Sequence, residues 1–285
     1  MIYCPELETS FETEKELFSA LKTANDLIIS KKKSSIISTV EKGVTLSTKE
    51  VKKNPSRYTA KGLEQKDGFI YPVINTIGYL DSHNDLHVSG IWNKSASEQS
   101  GRVHYVADHV IGIHNLIAHK EHVNILVEEI PWSSVGYNYE GTTQALIFEI
   151  EEKNIFHDKA RDLLKAGLPI ENSVRMQYVN VALCINSNDK EDIEFKTNYD
   201  KYSPLIANKD EFDEILYFYA VIEAKVVGEG SMVLEGSNSA TRTLPAKEET
   251  REPSEDTLEV KQKEEDEAAN RTSTLKSERT IGLIV

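Results

Sequence analysis

Seven of the chain's eight histidines (83, 87, 104, 109, 114, 119 and 122) lie within forty residues of one another. Imidazole is the side chain that moves protons near neutral pH and the commonest metal ligand, so two chemistries compete here. A metal site needs three protein ligands held in controlled geometry. His83 and His87 have i,i+4 spacing with Asp81 and Asp85 interleaved, and His119 and His122 have i,i+3 spacing. No HExxH segment or cysteine pair accompanies them, and the stretch reads as turn and strand. The other readings are a row of exposed polar histidines near one loop, and a single catalytic base among bystanders. For that base His109 is the first choice, because it ends the apparent strand VHYVADH, where a rigid backbone can aim it.

A base needs a nucleophile. Ser173 lies in GLPIENSVRMQYV, after a helix pattern that stops at Gly167 and an extended entry enforced by Pro169. On a strand, Ser173, Arg175 and Gln177 share one face, and Val174, Met176 and Tyr178 the other. An arginine beside the serine is placed to help hold a developing oxyanion. Polar/apolar alternation of this kind is also ordinary for a half-buried strand. The residues taken singly therefore leave the catalytic and the structural readings open.

The elements around these residues follow from hydrophobic patterning. Thr13 and Glu16 have capping-box spacing, and Leu17, Leu21, Ala24 and Ile28 fall on one stripe, which predicts a helix over 10–29. A lysine run (Lys31, Lys32, Lys33) and a polar stretch to about residue 60 read as a hinge or arm. Six β-rich segments follow: FIYPVINTIGYL, RVHYVADHVIGI, HVNILVEEI, ALIFEIEE, SVRMQYVNVALCI and LYFYAVIEAKVV. Helices are predicted at HDKARDLLKAG and over 208–216. The expected fold is α+β: a closed or nearly closed β-barrel of six or seven strands with peripheral helices. The domain reading is 1–60 as helix and arm, 61–241 as the catalytic barrel, and 242–285 as a charged tail. That tail has no aromatic residue and reads as disordered apart from its apolar terminal IGLIV.

Composition excludes several function classes. No apolar run approaches the roughly 20 residues of a membrane helix. The N-terminus MIYCPELETSFETEKE lacks a basic start and an apolar signal core. Cys4 and Cys184 form no cluster and read as small buried hydrophobes, which suits a reducing cytoplasm. Net charge is −14, and residues 61–241 carry 15 basic and 28 acidic side chains. That balance argues against nucleic-acid binding, which needs a basic face.

The order of the pieces resembles the prohead maturation proteases of tailed phages, relatives of the herpesvirus assemblin proteases. The aspartate-rich turn Asp81-Ser-His-Asn-Asp85-Leu-His-Val-Ser-Gly90-Ile-Trp92 resembles the family's opening signature. VHYVADH matches its histidine strand, and LLKAG-LPIENSVRMQY matches its helix–glycine–serine passage. Glu223-Ala-Lys-Val-Val-Gly-Glu229-Gly-Ser231-Met-Val233, then Gly236-Ser-Asn238-Ser-Ala240, resembles the closing signature. The match spans about residues 68–241 and looks like the branch found in crAss-like phages. Asn172 and Arg175 depart from the small residues common around the family's serine.

The resemblance implies a serine endopeptidase with Ser173 as nucleophile and His109 as base, with His119 second in line. The third member is Glu229, with Glu223 as the alternative, and Arg175 supports the oxyanion. It implies a herpesvirus-protease-like barrel and no cofactor or metal. The implied partners are capsid-precursor or scaffold protein, the chain's own termini, and further copies of itself, with no nucleic acid and no membrane. The implied place is the phage procapsid in the host cytoplasm. Two rivals are a metal-dependent hydrolase built on the 83–122 histidines and an inactive virion component with the same barrel.

Overall fold

The structure, a computed structural model, describes residues 1–36 and 63–244. The polar stretch beyond residue 36 lies outside the described residues, as does the charged tail of the sequence reading from 245 on, whereas Thr243 and Leu244 at its start form a short strand rather than disordered chain. In chain order the strands and α-helices are β1 (Ile2–Cys4), β2 (Thr9–Phe11), α1 (Glu14–Ser34), β3 (Phe69–Thr76), β4 (Asp85–His87), α2 (Asn93–Gln99), β5 (His104–Ala107), β6 (Leu116–Ala118), β7 (Asn124–Pro131), β8 (Thr142–Glu151), α3 (Asp158–Lys165), β9 (Glu171–Ile185), α4 (Ile193–Tyr202), β10 (Tyr217–Val233) and β11 (Thr243–Leu244). All six predicted β segments contain a strand, and the fold is α+β.

Strand β10 organises the first sheet. It runs antiparallel to β9 from Tyr217↔Ile185 to Val233↔Glu171. A strand has two edges, so its other edge is shared by β4, along 219–221, and β5, along 229–232, both parallel to it. β6 extends the sheet beyond β5. A second sheet has the order β11-β3-β8-β7. The two are joined where Asn172 donates its backbone N–H to the Thr241 carbonyl (2.9 Å) and Glu171 bridges to Arg242. Among the described residues the pairing gives open sheets, and no closed barrel is detected.

One core lies between the sheets. Ile74, Leu146 and Phe148 of the second sheet pack with Val174, Met176 and Val226 of the first. The approach is tightest at Gly230, where a Cβ would sit 2.6 Å from Cε2 of Phe148. Glycine is required there by space, not by backbone angle.

The helix α1 starts with the expected capping box. The Thr13 side chain accepts the Glu16 N–H, and the Glu16 carboxylate accepts the Thr13 N–H. Its apolar stripe does not lead a free arm. Leu17, Phe18, Leu21 and Ile28 are buried in the same core as β9, so residues 1–34 are not separate from the barrel segment. Lys31–Lys33 also lie within this helix rather than in a hinge. Lys32 is buried. Its ammonium bonds Asp85 Oδ1 (2.7 Å) and lies 4.6 Å from the Tyr219 ring centre.

The second predicted helix is absent. Residues 209–211 form only one 3-10 turn, while α4 lies at 193–202. The Asn208 side chain explains the loss. It accepts the Leu80 N–H and donates to the Leu80 carbonyl, so the segment follows a neighbouring chain instead of its own helix. α3 forms as predicted and ends at Gly167 with φ +64°, a left-handed cap. Among the described residues no helix is long and apolar enough to cross a membrane.

Candidate active site

The site is built around a break in backbone regularity. β5 stops at Ala107, two residues short of the expected strand end, and the chain then reverses. Asp108 and His109 both adopt left-handed φ, +54° and +57°. For non-glycine residues that conformation costs about 1–2 kcal/mol each. The turn is held by Asp108 N–H to the Met232 carbonyl (3.0 Å) and Val110 N–H to the Ala107 carbonyl (3.1 Å). His109 N–H donates to Ser231 Oγ (2.8 Å), whose own hydroxyl donates to the Val106 carbonyl (3.1 Å). Strain stored at one histidine and over-determined by its surroundings is characteristic of functional positions.

The turn folds the imidazole over β10. His109 Nδ1 lies 2.9 Å from Oε1 of Glu229, with the histidine side chain 6% exposed and the glutamate 0%. A carboxylate only accepts, so in the neutral ring Nδ1 carries the proton and Nε2 the lone pair. Nε2 is buried and has no hydrogen-bond partner among the described residues. Glu229 owes its aim to a bulge in β10 between Val226 and Gly230, where Gly228 takes φ +79°. Bulges next to active sites re-aim side chains in this way.

Register places the serine beside this pair. Ser173 of β9 stands directly opposite Ser231 of β10. Directly opposed residues project to the same face of a sheet, with Cβ atoms about 4.5–5.5 Å apart. Glu229 and Ser231, two apart on β10, also share a face. Ser173, Ser231, Glu229 and His109 are thereby gathered on one side of the sheet. Ser173 is half-buried, and its hydroxyl makes no hydrogen bond among the described residues. Ser173 and His109 Nε2 therefore make no direct hydrogen bond here. Catalytic hydrogen bonds are often loose before substrate binds. Arg175 is on the same face, half-buried, with an unpaired buried Nε.

The remaining sequence candidates separate cleanly. Glu223 pairs with Lys94 (3.3 Å) and lies eight residues along β10 from Ser231, roughly 26 Å by strand rise. It is not the partner of His109. His119 stacks edge-on against His104 at 5.0 Å, and its Nδ1 accepts the Glu121 N–H. His104 Nδ1 likewise accepts the Lys120 N–H (3.1 Å). Burial, His119 and Lys120 lower the pKa of His104. In the neutral rings Nε2 then carries the proton, leaving no free lone pair for a metal in this arrangement. Among the described residues no group of three His, Cys, Asp or Glu could hold a metal ion. His87 belongs to the interior, between Asn75 (3.1 Å) and Tyr178 (3.4 Å), and burial lowers its pKa to about 4.

Two site residues carry roles the sequence reading did not assign. Ser231 anchors the histidine turn. Asn172, fully buried, accepts Tyr105 O–H (2.6 Å) and donates its amide to the Thr241 carbonyl (2.7 Å), which pins the chain one residue before Ser173. Both sit in quoted motifs, but no local pattern shows what a strand neighbour contacts.

Comparison with protein-family models, curated proteins and solved structures finds no match. The geometry is therefore the ground for a functional reading. Glu229→Gln is expected to lower kcat of any acyl-transfer activity about 10³–10⁴-fold, because an amide no longer enforces the Nδ1–H tautomer. KM should change little. Turnover and melting temperature measured on the same preparation check this, and full activity in the variant would remove Glu229 from the site.

Proposed function

We propose that the chain is a serine endopeptidase with Ser173 as nucleophile, His109 as general base and Glu229 as the group that orients it. The buried His109–Glu229 bond, on the face of the sheet that carries Ser173, is the observation that supports this most. In the proposed reaction His109 Nε2 takes the Ser173 hydroxyl proton as Oγ attacks a peptide carbonyl. Glu229 stabilises the imidazolium. The same proton then passes to the leaving amine as the C–N bond breaks, and water hydrolyses the acyl-enzyme by the reverse transfers. Arg175 lends positive charge beside the oxyanion. No cofactor takes part.

The resemblance to prohead maturation proteases extends the reading. The two sheets around one core would be a version of the herpesvirus-protease-like barrel. The substrates would be scaffold or capsid-precursor protein, and the chain's own termini, inside a procapsid in the host cytoplasm. Several copies would act together there.

The direct test is covalent. A serine-directed phosphonate should add to Ser173, and Glu229→Gln should slow the addition. Peptide mapping reads the site of attachment. Labelling confined to another serine, or none at millimolar probe, would reject the assignment.

A further inference from the structure

Next to His109 the surface is unexpectedly apolar. Val110 is 48% exposed, Ile111 52% and Ile113 90%. They stand on a loop of fixed shape. Val110 N–H bonds the Ala107 carbonyl, Asn115 N–H bonds the Gly112 carbonyl (3.1 Å), and Asn115 Nδ2 reaches back to the Ala107 carbonyl. The loop is applied to the site, since Ile111 Cδ1 lies 3.4 Å from where a Cβ on Gly228 would be, one residue before Glu229. Aliphatic side chains held in water on a built loop mark a binding surface.

The chemistry says which part of a substrate meets it. The base that deprotonates the serine later protonates the leaving amine, so that nitrogen must lie against His109 Nε2. The residue supplying the nitrogen, and the one after it, then run outward on the histidine side of the serine. Val110, Ile111 and Ile113 follow His109 in the chain and are exposed apolar surface beside it.

We propose that this strip is a specificity subsite for the leaving-group side of the scissile bond, and that the preferred substrates are extended polypeptides with a large aliphatic residue in the first or second position after the cut. The inference rests on the serine-endopeptidase reading. Substrate burial of the strip supplies binding energy close to the reacting bond, where it can align the amine for protonation.

The experiment offers the full chain a proteome-derived peptide mixture with blocked amino termini, and reads the new amino termini by mass spectrometry. Ser173→Ala is run in parallel. Leu, Ile, Val or Met should be enriched in the first two positions of the new termini. With two competing peptides that differ only there, aliphatic against Asp or Ser, the cleavage ratio should fall about tenfold or more in Ile113→Asp, the scale of lost apolar contacts in a pocket. Ile113→Ala should give a smaller fall in the same direction, and circular dichroism verifies folding of both. New termini without aliphatic enrichment overturn the inference. So does an aliphatic preference confined to residues before the cut, or a ratio unmoved in both variants. A phosphonate-labelled Ser173 that cuts no peptide overturns the inference and leaves the nucleophile standing. Cleavage undiminished in Ser173→Ala, or no labelling and no cleavage, overturns the serine reading and the subsite with it.

Discussion

If the proposed serine-endopeptidase function holds, a Ser173→Ala chain should fold and melt like the parent and leave capsid precursor uncut. The stability half follows from local structure. Ser173 contributes its backbone to the β9–β10 ladder, its side chain is half-buried, and its hydroxyl has no hydrogen bond to lose among the described residues. Such a change falls within about 0.5 kcal/mol. The activity half follows from chemistry: without Oγ no acyl-enzyme forms, and removing a serine nucleophile costs about 10⁶-fold in kcat in proteases of this mechanistic type. Intact masses of capsid proteins from assemblies made with wild type and with the variant provide the measurement. Normal processing with the alanine in place would end the nucleophile assignment. A variant that also melts much earlier would show that Ser173 has a structural task not visible in its contacts.

The second large effect is on stability, and its source is Lys32. The single ammonium stands in a buried acidic surrounding. Asp85 Oδ1 bonds it, while Asp85 Oδ2 accepts Tyr178 O–H (2.8 Å), and Asp81 and Glu6 act on it through space. Burial alone pushes the Lys32 ammonium down, and Asp85, Glu6 and Asp81 outweigh it, so its pKa is raised. Lys32→Met leaves Asp85 buried without its cation. Breaking a buried pair in this way costs about 3–5 kcal/mol. Thermal melting should drop by roughly 10 °C or more for a unit of this size. The double variant Lys32→Met/Asp85→Asn should recover part of the loss, since it removes the stranded charge.

The pH dependence has a definite sign. Burial and the nearby Asp85 charge raise the Asp81 pKa to about 6, above its ordinary 3.8. Between those values the folded chain holds a proton that the unfolded chain releases, so the Asp81 contribution to stability falls as pH rises through that window. His87 acts oppositely. Its folded pKa of about 4 lies below the usual 6.5, so its contribution is lost as pH falls through the same range. Lys32 works against protonation of both groups. Removing it lets each bind protons more readily in the folded state, so the variant's deficit should shrink from pH 8 to pH 5. A deficit that grows toward acid would place the effect in packing rather than in charge.

The sequence by itself determined six of the eleven described strands, the α+β class and the first helix. Those features rest on signals carried by neighbours in the chain: alternation along SVRMQYVNVALCI, the Thr13/Glu16 capping box, and the glycine stop at 167. Such signals are local because a strand shows a two-residue period and a helix cap is completed within four residues. The helix expected over 208–216 failed for the complementary reason. Its fate depends on the Leu80 backbone, about 130 residues away in the chain, which the Asn208 side chain binds in preference to a helical turn.

The site divides along the same line. Residue types and family-like order nominated Ser173, His109, Glu229 and Arg175, and ranked Glu229 before Glu223 without showing what either touches. Only tertiary structure separated the two glutamates, through a β10 bulge and a left-handed turn after β5 that bring Glu229 under the imidazole while Glu223 is paired with Lys94. Likewise, only packing shows that Lys32, one of three consecutive lysines, is an interior cation, and that Ser231 holds the histidine turn. Side-chain direction at a bulge, burial of a charge and register between strands 58 residues apart are set by contacts distant in sequence. They come into being when the sheets close on their shared core, and no window of the chain contains them.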